Sequence, residues 1–307
     1  MASRGNAHYE SHPFGIDTCS SISPLIEKPF INFCQDMGVG WVARYGPRKS
    51  NGYLKSTDKR GFKDCGTNTV LSYDESTFLL NKARVRILPV QFKPYNSEKL
   101  SFTHGRKIGK IFVDWAIRMG IPKKVHLWCD LEGKTTRAGI RRTRADRCME
   151  YVSGWAYEAK KAGYNVGLYM YLQQSVGLRP IHLRQLISGY YLKKHSSFGA
   201  RFLSFQSMMP LVTSFWYAPR NVKVTPPCGY SIRQYFPSTY YWTCHNYVDG
   251  TTRKTREKCF HKKSDVDLKI ATKRPGTNKP FLYRYGFGYD RDGLSSSQYG
   301  FPYMWGA

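Results

Sequence analysis

Asp130 and Glu132 stand two residues apart at the end of a short apolar run, Val125-His126-Leu127-Trp128-Cys129, and Gly133 follows them. The alternation in that run predicts a buried strand. Residues two apart on a strand project from one face, so both carboxylates are expected to point together past its C-terminal end. Two neighbouring carboxylates do not both ionise easily. One is pushed towards the protonated form and can act as a general acid, while the other stays charged. That is the equipment for general acid–base chemistry. The same spacing also fits a polar strand end with both acids in water. Taken alone, the pair leaves both readings open.

The elements around this pair give it a context. Strands are expected at 13–21, 39–45, 85–91, 125–129, 164–171, 213–218, 231–236 and 265–270. Between them, Pro24 to Met37 reads as a helix, and Ser72-Tyr73-Asp74-Glu75 opens another with a capping-box pattern. Ile108, Ile111, Phe112, Trp115, Ala116 and Met119 fall at helical spacing and Gly120 closes them. A further helix carries Cys148, Val152, Trp155, Ala156 and Ala159 on one face before Gly163. Strand and helix alternating in this way predict an α/β protein, an irregular (β/α)8 TIM-type barrel over residues 13–271. An N-terminal arm (1–12) precedes it and a Tyr/Phe/Gly-rich C-terminal arm (272–307) follows, packing on this domain or on a partner. Active sites of such barrels gather where strands end. Asp17, Asp130, Glu132 and Asp267 all lie at or near expected strand ends. No Gly-x-Gly-x-x-Gly follows the first strand and no phosphate loop is present, which argues against a doubly wound nucleotide-binding sheet.

The net charge of +27 favours polyanionic partners: nucleic acid, anionic cell-wall polymer or an acidic membrane surface. The densest basic run, 253–274, reads as a solvated loop and overlaps a basic loop at 238–264; residues 48–70 read as a polar surface insertion. No apolar run approaches the roughly 20 residues a membrane span needs. The N-terminus lacks the apolar core of a secretory signal, so export is expected by another route. Most of the eight cysteines are expected to be reduced, several of them buried. Cys244-His245 and Cys259-Phe260-His261 have the ligand types for zinc, but their spacing fits no common finger, so a disulfide or free thiols is expected there. No cofactor and no metal are expected.

Several segments together resemble the glycoside hydrolase family 25 lysozymes. Gly15-Ile16-Asp17, Asp130-Leu131-Glu132, Gly167-Leu168-Tyr169, Phe215-Trp216-Tyr217-Ala218, Arg233-Gln234-Tyr235 and Val266-Asp267-Leu268 occur in the order seen in that family. The first half is also similar to the Rv2525c-like glycoside-hydrolase-like domain, long filed as a domain of unknown function. There the matching segments are Gly-Ile-Asp-Thr-Cys from Gly15, Ala43-Arg44-Tyr45, Leu88-Pro89-Val90-Gln91, the helix from Gly105 to Ala116, and Gly120-Ile121-Pro122. The resemblance implies hydrolysis of the bond after N-acetylmuramic acid in peptidoglycan. Glu132 would be the general acid, Asp130 its carboxylate neighbour, and Asp17 and Asp267 an outer acidic pair. Tyr169, Trp216 and Gln234 would bind sugar in the groove, with Arg44 and Gln91 as further substrate-binding candidates. Lys269 stands where the lysozymes usually carry Asn. The 48–70 insertion, the basic 238–264 segment and the aromatic tail are not typical of the family.

The expectation drawn is a muramidase-like hydrolase, phage- or virus-borne, that reaches the wall by holin-type release or from the virion. Its basic surface would hold anionic wall polymer, and its tail could contact other virion proteins. The competing expectation is a catalytically silent barrel acting as a basic structural or polyanion-binding protein. Nucleic acid is a partner compatible with the charge, but not the favoured one.

Overall fold

The computed structural model describes residues 14–18, 30–32, 34–35, 38–48, 63–65, 68–92, 94, 99–131, 144–170, 179–195, 211–217, 232–234, 240–248, 255–262, 283–294 and 303–306. The strands are β1 (Phe14–Thr18), β2 (Val39–Gly46), β3 (Lys63–Cys65), β4 (Asn68–Thr69), β5 (Arg86–Gln91), β6 (His126–Asp130), β7 (Asn165–Met170), β8 (Ser214–Tyr217), β9 (Ile232–Gln234), β10 (Tyr240–Val248), β11 (Thr255–Lys262) and β12 (Tyr283–Leu294). The helices are α1 (Tyr73–Thr77), running on into a π-helical turn at Phe78–Lys82, α2 (Phe102–Arg118), α3 (Ala145–Lys161), α4 (Pro180–Ile187) and α5 (Tyr190–Lys193).

Strands β1, β2, β5, β6, β7, β8 and β9 lie side by side and parallel in that order. The sheet curls. Trp41 on β2 meets Trp216 on β8 at 6.5 Å between ring centroids, although the two strands are far apart in sheet order. This is a barrel-like α/β fold. Strand β12 runs antiparallel against both β9 and β1. The strand expected at 265–270 lies outside the described residues.

Two stretches depart from expectation in kind. The segment read as a basic loop contains a long antiparallel hairpin, β10 paired with β11, and β10 pairs in turn with β12. Its register sets Cys244 opposite Cys259. The tail is a strand of the sheet from Tyr283 to Leu294, and further on Trp305 exchanges backbone hydrogen bonds with Ile87, both 2.9 Å. Arg48, placed by the sequence at the start of a surface insertion, is buried, donating to the Phe92 carbonyl at 2.9 Å and the Tyr151 hydroxyl at 3.1 Å.

Helices α2 and α3 cover the outer face of the sheet. They approach backbone to backbone because glycine sits at the crossing. A Cβ on Gly105 would run into the Tyr151 carbonyl, and one on Gly154 into the Phe102 carbonyl. Helix α2 starts at Ser101, whose hydroxyl accepts from the His104 amide at 3.1 Å, a cap worth about 1 kcal/mol. Ser72 caps α1 in the same way through the Glu75 amide at 3.1 Å.

The turns that feed the parallel strands need left-handed backbone. Before β2 and β7 the residues are Gly38 (φ 64°) and Gly163 (φ 88°). Before β5 and β6 they are Arg84 (φ 53°) and Lys124 (φ 70°), where a side chain costs about 1–2 kcal/mol.

Candidate active site

Parity along each strand decides which residues can reach the concave face. Trp128 on β6 lies over Gly167 on β7, and Trp41 over Gly15 on β1; a Cβ on either glycine would overlap the indole. Trp216 meets the edge of both tryptophans, 5.8 Å from Trp128 and 6.5 Å from Trp41, at 88° and 82°. These contacts fix Gly15, Trp41, Trp128, Gly167 and Trp216 on the inside. Two residues further along, Asp17 and Asp130 share that face by strand periodicity. The register carries the same level round the sheet: Asp130 opposite Tyr169, Tyr169 opposite Trp216, Trp216 opposite Ile232.

Asp17 and Asp130 therefore stand at the C-terminal ends of β1 and β6 above a tryptophan floor. Both are buried, with 8% and 3% of their surface exposed. Tyr169 leans on Trp216 at 4.8 Å between centroids and 57° between planes, and it too is buried. The Tyr169 carbonyl accepts from the Leu131 amide at 2.9 Å, extending the β6–β7 pairing one residue beyond Asp130. In a low-dielectric enclosure a carboxylate's field is weakly screened, which suits it to stabilising positive charge on a reacting group. Aromatic planes of this kind suit the apolar faces of sugar rings.

Glu132 and Asp267 lie outside the described residues. Gln234 is on β9 as the register partner of Asp292.

Arg44 and Gln91 face the other way, and here the sequence expectation of groove residues is corrected. Gln91 is wedged between the sheet and the helices: its amide oxygen accepts from Trp155 Nε1 at 2.6 Å, and its amide nitrogen donates to the Ile108 carbonyl at 3.2 Å. Arg44 is wholly buried, forming a two-pronged pair with the Glu75 carboxylate at 2.7 and 3.0 Å and donating to the Thr18 carbonyl at 2.8 Å. The physical reason is parity. Trp41 points inward, so Ala43 and Tyr45 share its face and Arg44 is turned to the helices.

The opposite ends of the strands are closed by the tail. His126, at the start of β6, donates its backbone N–H to the Tyr303 carbonyl at 2.8 Å, and its Nδ1 accepts from the Tyr303 amide at 2.9 Å. With Nδ1 an acceptor, the proton of the neutral ring is on Nε2, which donates to Thr213 Oγ1 at 2.9 Å. Burial, aided by the nearby charge of Lys160, pushes the His126 pKa down to about 3. Burial also lowers Lys160 to about 8; its ammonium donates to Asn165 Oδ1 at 3.5 Å.

No family model matches the chain, and no curated protein matches it. Solved structures do. The Mycobacterium tuberculosis Tat-secreted protein Rv2525c in complex with L-tartrate aligns at 11% identity and a TM-score of 0.47, over 96% of this chain and 100% of that one. An uncharacterized B. stearothermophilus protein aligns at 16% identity and 0.44, over 83% and 97%. GHIP, a glycosyl hydrolase 25 of Streptococcus pneumoniae participating in host cell invasion, aligns at 14% and 0.42, over 94% and 90%. Identities and TM-scores this low assign neither a family nor an activity; function has to be read from this chain's own residues.

The interior tryptophans, Trp41 and Trp128, are not singled out by the sequence. The available signal is complementarity: each faces a glycine on the adjoining strand. Among the described residues, no group of three or more His, Cys, Asp or Glu side chains could hold a metal ion, and no helix is long and apolar enough to cross a membrane.

Proposed function

We propose that the chain is a glycoside hydrolase acting on peptidoglycan, with its site at the C-terminal ends of the parallel strands of an irregular (β/α)8-type barrel. The observation that carries this reading is the burial of Asp17 and Asp130 on one concave face, beside Tyr169 and Trp216. Buried acids recur at functional sites, and these two stand at the strand ends where barrel active sites gather. Glu132, two residues beyond Asp130, is the proton donor to the leaving glycosidic oxygen. Asp130 and Asp17 stabilise the positive charge that develops at the anomeric carbon, and water completes the hydrolysis. Tyr169 and Trp216 are the buried aromatic backing beneath this site.

The test is release of reducing ends from purified peptidoglycan, with fragments identified by mass. Wild type is expected to release muramic reducing ends, and Glu132→Gln to be slower by about 10²-fold or more. An equal rate in the variant would remove Glu132 from the mechanism.

A further inference from the structure

Among the described residues, the N-terminal ends of β5, β6 and β7 carry a cluster of positive charge. Lys82 and Arg84 precede β5, Lys123 and Lys124 precede β6, and Lys161 precedes β7; all five are exposed. Strands β5, β6 and β7 are neighbours, so these cations share one rim. The described segments that build it, 78–86, 117–126, 160–166 and 303–306, contain no Asp or Glu. The segments are also tied to one another. The Lys124 amide donates to the Gly163 carbonyl at 2.9 Å, and Asn165 Nδ2 to the Lys124 carbonyl at 2.6 Å.

Two of the cations stand where the backbone would favour glycine. The equivalent turns before β2 and β7 do use glycine. At Arg84 and Lys124 the chain retains a long basic side chain in left-handed geometry, an arrangement that points to function and not to folding.

An exposed aromatic ring lies among them. Tyr303 is 59% exposed, yet its backbone is held to His126 by the two hydrogen bonds already described, so the ring is offered from a fixed position. Cations that follow a phosphate backbone, arranged about a fixed aromatic plane, match a chain of phosphates bearing flat bases. We infer that this rim, centred on Arg84, Lys124 and Tyr303, is a docking surface for single-stranded nucleic acid. An anionic wall polymer would meet the charge but has no use for the ring. The rim lies at the opposite strand ends from Asp130, so loss of binding and loss of hydrolysis are separable.

The experiment is fluorescence anisotropy of the full chain with a labelled oligothymidine of about 20 nucleotides, across salt from about 50 to 200 mM. The double variant Arg84→Gly/Lys124→Gly removes both charges at positions where glycine is favoured, so it keeps the fold. It is expected to bind about tenfold more weakly at low salt, with a salt slope shallower by about 1.4. Arg84→Lys/Lys124→Arg is expected to bind as wild type. Tyr303→Ala is expected to weaken the oligonucleotide about fivefold or more while leaving lipoteichoic acid competition unchanged. Absence of oligonucleotide binding by wild type, an unaltered slope in the glycine variant, or lipoteichoic acid binding tighter than the oligonucleotide with no dependence on Tyr303 would overturn the inference.

Discussion

At one end of β6 stands Asp130, buried on the concave face beside residues with groove-like chemistry; at the other stands His126, buried on the same face and fully engaged. The two are four residues apart on one strand, with Trp128 between them. Both are titratable and both are buried, so burial alone does not mark a catalytic group. What separates them is the end of the strand each occupies. His126 has each ring nitrogen committed, one to the tail and one to Thr213, whose hydroxyl passes a hydrogen bond to the Val166 carbonyl at 3.4 Å. That is a structural latch. Asp130 stands at the C-terminal end of the strand, level with the Tyr169–Trp216 pair, and Glu132 follows it in sequence. In a parallel sheet of this kind the role open to a buried acid or base follows from which strand end it occupies.

The largest effect on stability is expected on the helix-facing side, at the Arg44–Glu75 pair. Glu75→Gln removes the carboxylate charge facing a buried guanidinium and is expected to lower unfolding free energy by about 3–5 kcal/mol, read by urea denaturation. If it costs less than about 1 kcal/mol, the pair behaves like a surface contact and the separation of faces is weaker than drawn.

Next is the pH dependence of the closed end. The folded pKa of His126 is lowered from 6.5 to about 3, so in this window the unfolded chain binds the proton and the folded one does not. The stability from keeping the ring neutral is complete above pH 6.5 and is lost as the pH falls from there towards about 3. The local slope is about 1.4 kcal/mol per pH unit. Chemical denaturation at stepped pH should show His126→Gln with a flatter profile than wild type over that range. Parallel profiles would remove His126 as the acid-sensitive latch.

The smallest effect is expected at the rim. Arg84→Gly and Lys124→Gly each relieve a left-handed side chain and should raise stability by up to about 1 kcal/mol, the backbone freedom of glycine offsetting part of the gain. A drop in melting temperature in either would mean that the side chain contributes packing at the turn.

Much of the framework is legible in the sequence. Period-two runs locate β2, β5, β6 and β7 nearly to the residue, and the spacing from Ile108 to Met119 locates α2. These signals are local and repeat, so burial of one face enforces them. Arg44 and Gln91 are misread from sequence because a motif gives a position along the chain and not a side of the strand. Only the contact of Trp41 with Gly15 and Trp216 fixes that side. The hairpin β10–β11 is hidden by its charges, which read as solvated loop although Tyr240, Tyr241, Trp242, Thr243 and Tyr247 favour a strand. The tail holds a plainer signal: Tyr283, Tyr285, Phe287 and Tyr289 recur at every second residue, the period of a strand, among glycines that suggest a loose arm. The Tyr303 latch joins residues 177 apart in sequence, and no local pattern announces such a pairing. The strand-end positions of Asp17 and Asp130 are legible because alternation locates their strands, whereas Tyr169 and Trp216 are singled out only by the resemblance.

The most direct test of the account compares the two ends of β6 in one assay. Reducing-end release from peptidoglycan at neutral pH would be measured for wild type, Asp130→Asn and His126→Gln, each checked by circular dichroism for a retained fold. The account predicts release by wild type, a loss of about 10²-fold or more in Asp130→Asn, and a near wild-type rate in His126→Gln. Release by Asp130→Asn at the wild-type rate, or no release by the wild type itself, would contradict it.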